Sequence, residues 1–160
     1  ALIVFLTSFY SIRAFLKNDE SNRKKEMVMN NQKVFTPMRL QAYERITLFL
    51  ERISPDSLLK RVHKKGMTVS ELQTAILNAV RMEFEHNFAQ QIYISHTSWQ
   101  TVVAAKENVV KLVNTISSRM KPDAPAINLS KALFEEVMAM NTTPTGKAIE
   151  TLKKEVQQLF

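Results

Sequence analysis

TVSELQTAILNAVRMEFEHNF, residues 68–88, reads as one long helix with its start signal attached. Thr68 and Glu71 stand in capping-box register, where hydroxyl and carboxylate each bond the other's backbone N–H. Val69, Ile76, Leu77, Val80, Phe84 and Phe88 then share one face at helical spacing. The pattern predicts a helix reaching about residue 94. Strand-period alternation of useful length occurs nowhere in the chain. The expected fold class is therefore all-α.

Working outward, each helix announces itself by a cap or a proline. Thr36-Pro37 reads as a start, with Thr36 as cap and Pro37 in the first turn. Met38, Ala42, Ile46, Phe49, Leu50 and Ile53 follow as a stripe, while Leu40 and Leu48 lie off it and suggest cover on two sides. Ser54-Pro55 repeats the signal for a short helix that Gly66 is expected to stop at its C′ position. Thr97 and Gln100 suggest a second capping box, opening a helix to about residue 118. A turn over residues 121–125 precedes a helix of about 129–140 capped by Asn128. Asn141-Thr-Thr-Pro144 introduces the last helix, whose Ile149, Leu152, Val156 and Leu159 are expected to dock on the bundle. Short loops favour antiparallel neighbours. A compact bundle of about six helices results, assigned to residues 34–160.

The N-terminal residues 1–12 are different in kind: ALIVFLTSFYSI is apolar all round its axis at the start. Arg13, Lys17, Arg23, Lys24 and Lys25 follow at once. A crossing helix needs about 20 apolar residues, and twelve cover only about 18 Å at 1.5 Å each. The chain also lacks an initiator Met, so the segment reads as the end of a transmembrane helix whose earlier residues are missing. Residues 13–33 hold six Lys/Arg against three Asp/Glu and read as a juxtamembrane basic stalk attracted to anionic headgroups. The excess of cations places the following domain on the cytoplasmic side of an inner membrane, in a single-pass topology.

Composition excludes several chemistries. With no cysteine there is no disulfide framework and no thiolate nucleophile. Two glycines, Gly66 and Gly146, cannot write a phosphate-cradling loop or a dinucleotide fingerprint. Of the three aspartates, Asp56 and Asp123 each follow a proline, as turn and first-turn residues do. The three histidines show no metal-ligand spacing. A net charge of +7 invites nucleic acid, but no aromatic-interleaved basic stripe accompanies it.

The informative residues are the polar ones that interrupt apolar stripes. Asn87 and Gln91 fall within the apolar arc of the helix starting at residue 69, with Glu83 at its edge and His86 beside it. Lys106 sits amid Trp99, Val102, Val103, Val109, Val110 and Val113 on the next helix. A buried ammonium needs a partner or a route to water, and Glu83 is the expected partner. Glu83, His86, Asn87, Gln91 and Lys106 thus form a candidate buried polar network. Its structural reading is a set of paired groups fixing helix register.

Two strings carry a resemblance: RLQAYERITLFLERISP at residues 39–55, and EFEHN at 83–87 followed by QQIYIS at 90–95 and Trp99. Over about residues 34–118 they resemble an uncharacterised family of small Bacteroidota membrane-anchored helical proteins. The resemblance implies an N-terminal anchor and a cytoplasmic helical domain. It implies no activity, so no functional residue is carried over.

The expected function is a membrane-anchored, non-enzymatic interaction module, an accessory or scaffold subunit of a larger inner-membrane complex. Its expected partners are membrane lipid and other subunits of that complex. No catalytic residue, cofactor, metal or small molecule is expected. Two alternatives are carried: a ligand binder or enzyme using Glu83, His86, Asn87 and Lys106, and ribosome or nucleic-acid contact through Arg61, Lys64 and Lys65.

Overall fold

The computed structural model describes the backbone of residues 2–159 and the side chains of residues 13, 19, 20, 23, 25–27, 29, 30 and 32–158. Six α-helices follow one another: α1 Leu2–Arg52, α2 Pro55–Val62, α3 Val69–Asn87, α4 His96–Ser117, α5 Ala126–Ala139 and α6 Pro144–Leu159. A 3-10 turn, Phe88–Ile92, extends α3. No strand occurs among the described residues; the one β-type contact is an isolated bridge between Thr68 and Pro125. The all-α class is confirmed.

The chain divides into two units, Ala1–Arg39 and Leu40–Phe160. Within the first, Thr36-Pro37 does not open a helix: Pro37 lies inside α1. A proline here removes one N–H and frees the carbonyl four residues back. Lys33, Val34 and Met38 are exposed, so water can satisfy what the ring displaces. Arg23 pairs with Asp19 one turn earlier, at 3.0 Å.

The second unit is a bundle. α4 packs along α6 and against α3, α3 also meets α5 and α2, and α2 meets α5. Ile46, Phe49 and Leu50 of α1 and Ile53 just beyond it enter its core with Leu58, Val69, Leu72, Ile76, Val80, Leu129, Leu133 and Leu152, all among the most deeply buried side chains. Truncating any one of these leucines to alanine carries a cost of about 2–5 kcal/mol. Met38, expected in the α1 stripe, is exposed, and so are Leu40 and Leu48. The C-terminal helix docks as its periodicity predicted, burying Ala148, Ile149 and Leu152.

Ser54 caps α2, and Thr68 and Glu71 form the predicted capping box on α3. α2 ends at His63 in extended conformation rather than at Gly66. Gly66 serves the turn beyond it, at φ +88°, where a side chain would strain the backbone. α4 starts earlier than expected: Ser95 is its cap, accepting from Ser98 N–H at 3.1 Å. Gln100, the expected box partner, bonds the His96 ring instead, at 2.9 Å. α5 also starts earlier, after Pro125 and without a side-chain cap. Its first N–H, from Ala126, donates to Met67 O at 2.9 Å, while Val69 N–H donates to Ala124 O at 2.8 Å. The 121–125 turn is thereby stitched to the start of α3.

Candidate functional site

Phe84, half-buried in the last turn of α3, organises the region around it. Its ring stacks on Trp99 of α4 at 5.6 Å between centroids. It meets Phe49 of α1 at 5.9 Å and Phe88 at 5.7 Å, edge-on. Such pairs add about 0.5–1.5 kcal/mol beyond the area they bury. The four rings tie α1, α3 and α4 together; Phe49 lines one surface cleft, and Phe84 and Phe88 line another.

The first cleft, about 460 Å³, is lined by Arg45, Leu48, Phe49, Arg52, Met82, Glu83, His86 and Asn87. Glu83 lies at its base with its side chain 15% exposed. Its Oε1 accepts from Arg52 Nε at 2.7 Å and from Arg61 Nη1 at 2.8 Å. Arg61 also donates through Nη2 to Arg52 O at 2.8 Å, at the end of α1, where a cation is favourable. Burial pushes the Glu83 carboxyl up; the hydrogen bonds and charges of Arg52 and Arg61 outweigh it, so the group titrates below its ordinary value. Asn87 is buried and donates Nδ2 to Glu83 O at 2.8 Å. His86 is exposed on the cleft wall, and Gln91 is half-buried.

The second cleft, about 760 Å³, runs between α3 and α4 and is lined by Leu77, Val80, Arg81, Phe84, Glu85, Phe88, Lys106, Glu107, Val110 and Asn114. Lys106 Nζ sits 4.5 Å from the centre of the Phe84 ring and 2.6 Å from Glu107 Oε1. This corrects the expected Lys106–Glu83 pair. Consecutive residues on a helix diverge by about 100°. Phe84 faces α4 and Lys106, and so its neighbour Glu83 turns toward α1 and α2. The candidate polar cluster is split: Glu83, His86 and Asn87 line one cleft and Lys106 the other.

The most heavily bonded carboxylate is one that periodicity did not single out. Glu155 of α6 accepts from Tyr43 Oη at 2.6 Å, from Ser95 N–H at 3.2 Å and Ser95 Oγ at 2.8 Å, and from Ser98 Oγ. It lies across the start of α4, where a negative charge meets the positive end of the helix dipole. Burial raises its pKa, but the bonds from Ser98, Tyr43 and Ser95 lower it further, leaving it below the ordinary value. Ser95 caps α4 and Glu155 holds Ser95, an arrangement that joins α1, α4 and α6.

Among the described residues no group of three His, Asp or Glu side chains is placed to hold a metal ion. No helix, among the described residues, is long and apolar enough to cross a membrane. The side chains of residues 1–12, on which the expected span rests, lie outside the described residues, as do those of Lys17 and Lys24. Arg13, Arg23 and Lys25 are exposed.

Fold and site together define an all-helical protein whose main unit is a bundle with an aromatic hub that contributes to two of its surface clefts. The chain belongs to the Family of unknown function (DUF7935), whose model matches residues 1–159. That match takes in the region beyond residue 118, which the sequence resemblance left out. No curated protein and no solved structure matches the chain.

Proposed function

We propose that this protein is a membrane-attached helical adaptor, an accessory or scaffold subunit that acts by docking another protein on its cytoplasmic bundle. The observation that carries the reading is the first cleft. Leu48 is 54% exposed and Met82 69%, and they face a rim supplied by Arg45, Arg52 and His86. The acid at the base, Glu83, already has two arginine partners. What remains on offer is apolar surface flanked by two arginines and an imidazole. A helix with an apolar ridge and neighbouring carboxylates complements it.

Attachment to the membrane rests on the sequence of residues 1–12 and the basic residues Arg13, Lys17, Arg23, Lys24 and Lys25 after them. An apolar segment followed by Lys/Arg favours the inner membrane with the bundle on the cytoplasmic side. The resemblance to anchored Bacteroidota proteins supports the same placement.

The test is affinity capture of the tagged full chain from detergent extract, followed by mass spectrometry. A stoichiometric partner is expected with the wild type and is expected to be lost with Leu48→Glu plus Met82→Glu. Both positions are exposed, so the double variant should keep its fold by circular dichroism. Recovery at monomer mass, or a partner retained by the double variant, refutes the reading. Recovery in the aqueous fraction after lysis refutes the attachment.

A further inference from the structure

We propose that the α3–α4 cleft is a binding site for a small amphiphilic monocarboxylate, held by its carboxylate on Lys106 and by its apolar chain along Phe84, Phe88, Leu77 and Val110. This goes beyond the docking reading, which concerns the other cleft. The volume, about 760 Å³, falls in the range of about 300–1,000 Å³ that small-molecule sites span. The residue types also match that class: an apolar floor with a few charged groups at the edge.

Lys106 is the reason for an anion. Its side chain is 19% exposed, so most of its stem lies against the wall of the cleft. An ammonium carries three donors. Among the described residues its partners are one oxygen of Glu107 and the face of the Phe84 ring. Glu107 is 61% exposed and adjacent in sequence, so it holds Lys106 from the solvent side. Exposed pairs of this kind are weak. A ligand carboxylate entering from the cleft can take the ammonium while Glu107 turns into water. Arg81 adds a second cation at the rim and Glu85 a second acid. A ligand with one negative charge therefore gains Lys106 without meeting a ring of acids.

The apolar part of the ligand follows from the floor. Phe88 is 50% exposed, and its edge meets Trp99 at 5.9 Å. Trp99, the chain's one tryptophan, stacks on the opposite neighbour of the same surface, Phe84. Trp99 touches two rings of the cleft floor, so its emission reports on occupancy.

The experiment titrates the full chain with decanoate and, separately, with decanol, below their aggregation limits, following Trp99 emission and heat. Saturable one-to-one binding of decanoate is expected, at least tenfold tighter than decanol. Lys106→Met keeps the length of the stem and should erase that preference while leaving decanol unchanged. Glu107→Gln removes the competing anion and should tighten decanoate several-fold. Phe88→Ala should weaken both ligands. The proposal is overturned if decanoate does not saturate, if decanol binds as well, or if Lys106→Met retains the preference. Should Lys106→Met fail to fold, an unchanged or weakened decanoate affinity in Glu107→Gln overturns it instead.

Discussion

Tyr43 donates its phenolic hydroxyl to Glu155 at 2.6 Å, joining residues 112 positions apart. Through Glu155 the bond reaches Ser95 and Ser98, and so the start of α4. Three helices are held by one carboxylate. Hydrogen bonds to a charged group are worth about 1.5–3 kcal/mol each, and an abandoned buried donor adds its desolvation cost. Glu155→Ala should therefore destabilise the fold by about 3 kcal/mol in urea unfolding, and Tyr43→Phe by about 1.5 kcal/mol. Equal stability of Glu155→Ala and wild type would mean that the α4–α6 packing alone holds this corner.

Acid should act on the same group. Glu83 and Glu155 both titrate below the ordinary 4.5 in the folded chain. A carboxylate depressed by folding contributes stability that is fully present above its unfolded value and is lost as the pH falls through its folded value. Stability should thus be level near neutrality and decline below about pH 4.5. Urea midpoints from pH 7 to pH 3 measure it. The double variant Glu83→Gln plus Glu155→Gln should start lower and fall less steeply. A decline as steep as wild type would assign the acid sensitivity to other carboxylates.

The helices were legible because their signals are local. Thr68 and Glu71 need only each other, and the α6 stripe of Ile149 and Leu152 needs only a surface to cover. The failures share a cause: the deciding partner was distant in sequence. Ser95 rather than Thr97 caps α4 because Glu155 fixes it from sixty residues away. Ala126 opens α5 without a side-chain cap because Met67 O takes its N–H. Lys106 and Glu83 each interrupt a stripe, and the pattern brought them together. The one-residue step between Glu83 and Phe84 sends them to opposite sides. Glu155 had no signal of its own, since a carboxylate on an amphipathic helix ordinarily reads as a solvated face. Its cue was Ser95 and Ser98 three apart at a helix start, a pair of donors that suits a carboxylate.

Gly66 offers a test of backbone strain alone. Its φ is +88° and a Cβ there would meet nothing within 4 Å. Any loss in Gly66→Ala then reflects conformation and not collision. About 1 kcal/mol is expected, with Gly66→Asn milder because asparagine tolerates the left-handed region. The urea midpoint distinguishes them. An unchanged Gly66→Ala would mean that the 63–68 turn relaxes to negative φ at no cost.

The Glu83 cluster makes the sharpest prediction about coupling. Glu83 is 15% exposed, whereas Arg52 and Arg61 are 56% and 35% exposed. Solvent therefore screens the arginines more than the acid, and each pair is worth less than a buried one. Glu83→Gln should cost about 1–2 kcal/mol, because it leaves two guanidinium groups facing each other over a half-dehydrated amide. Arg61→Gln should cost less, since Arg52 still holds the acid. If one carboxylate organises both arginines, the double variant should cost less than the sum of the singles, with a coupling of about 1 kcal/mol. High salt should shrink that coupling by screening the exposed arginines. Additive losses at low salt would instead mean that Arg61 acts through its bond to the end of α1, independently of Glu83.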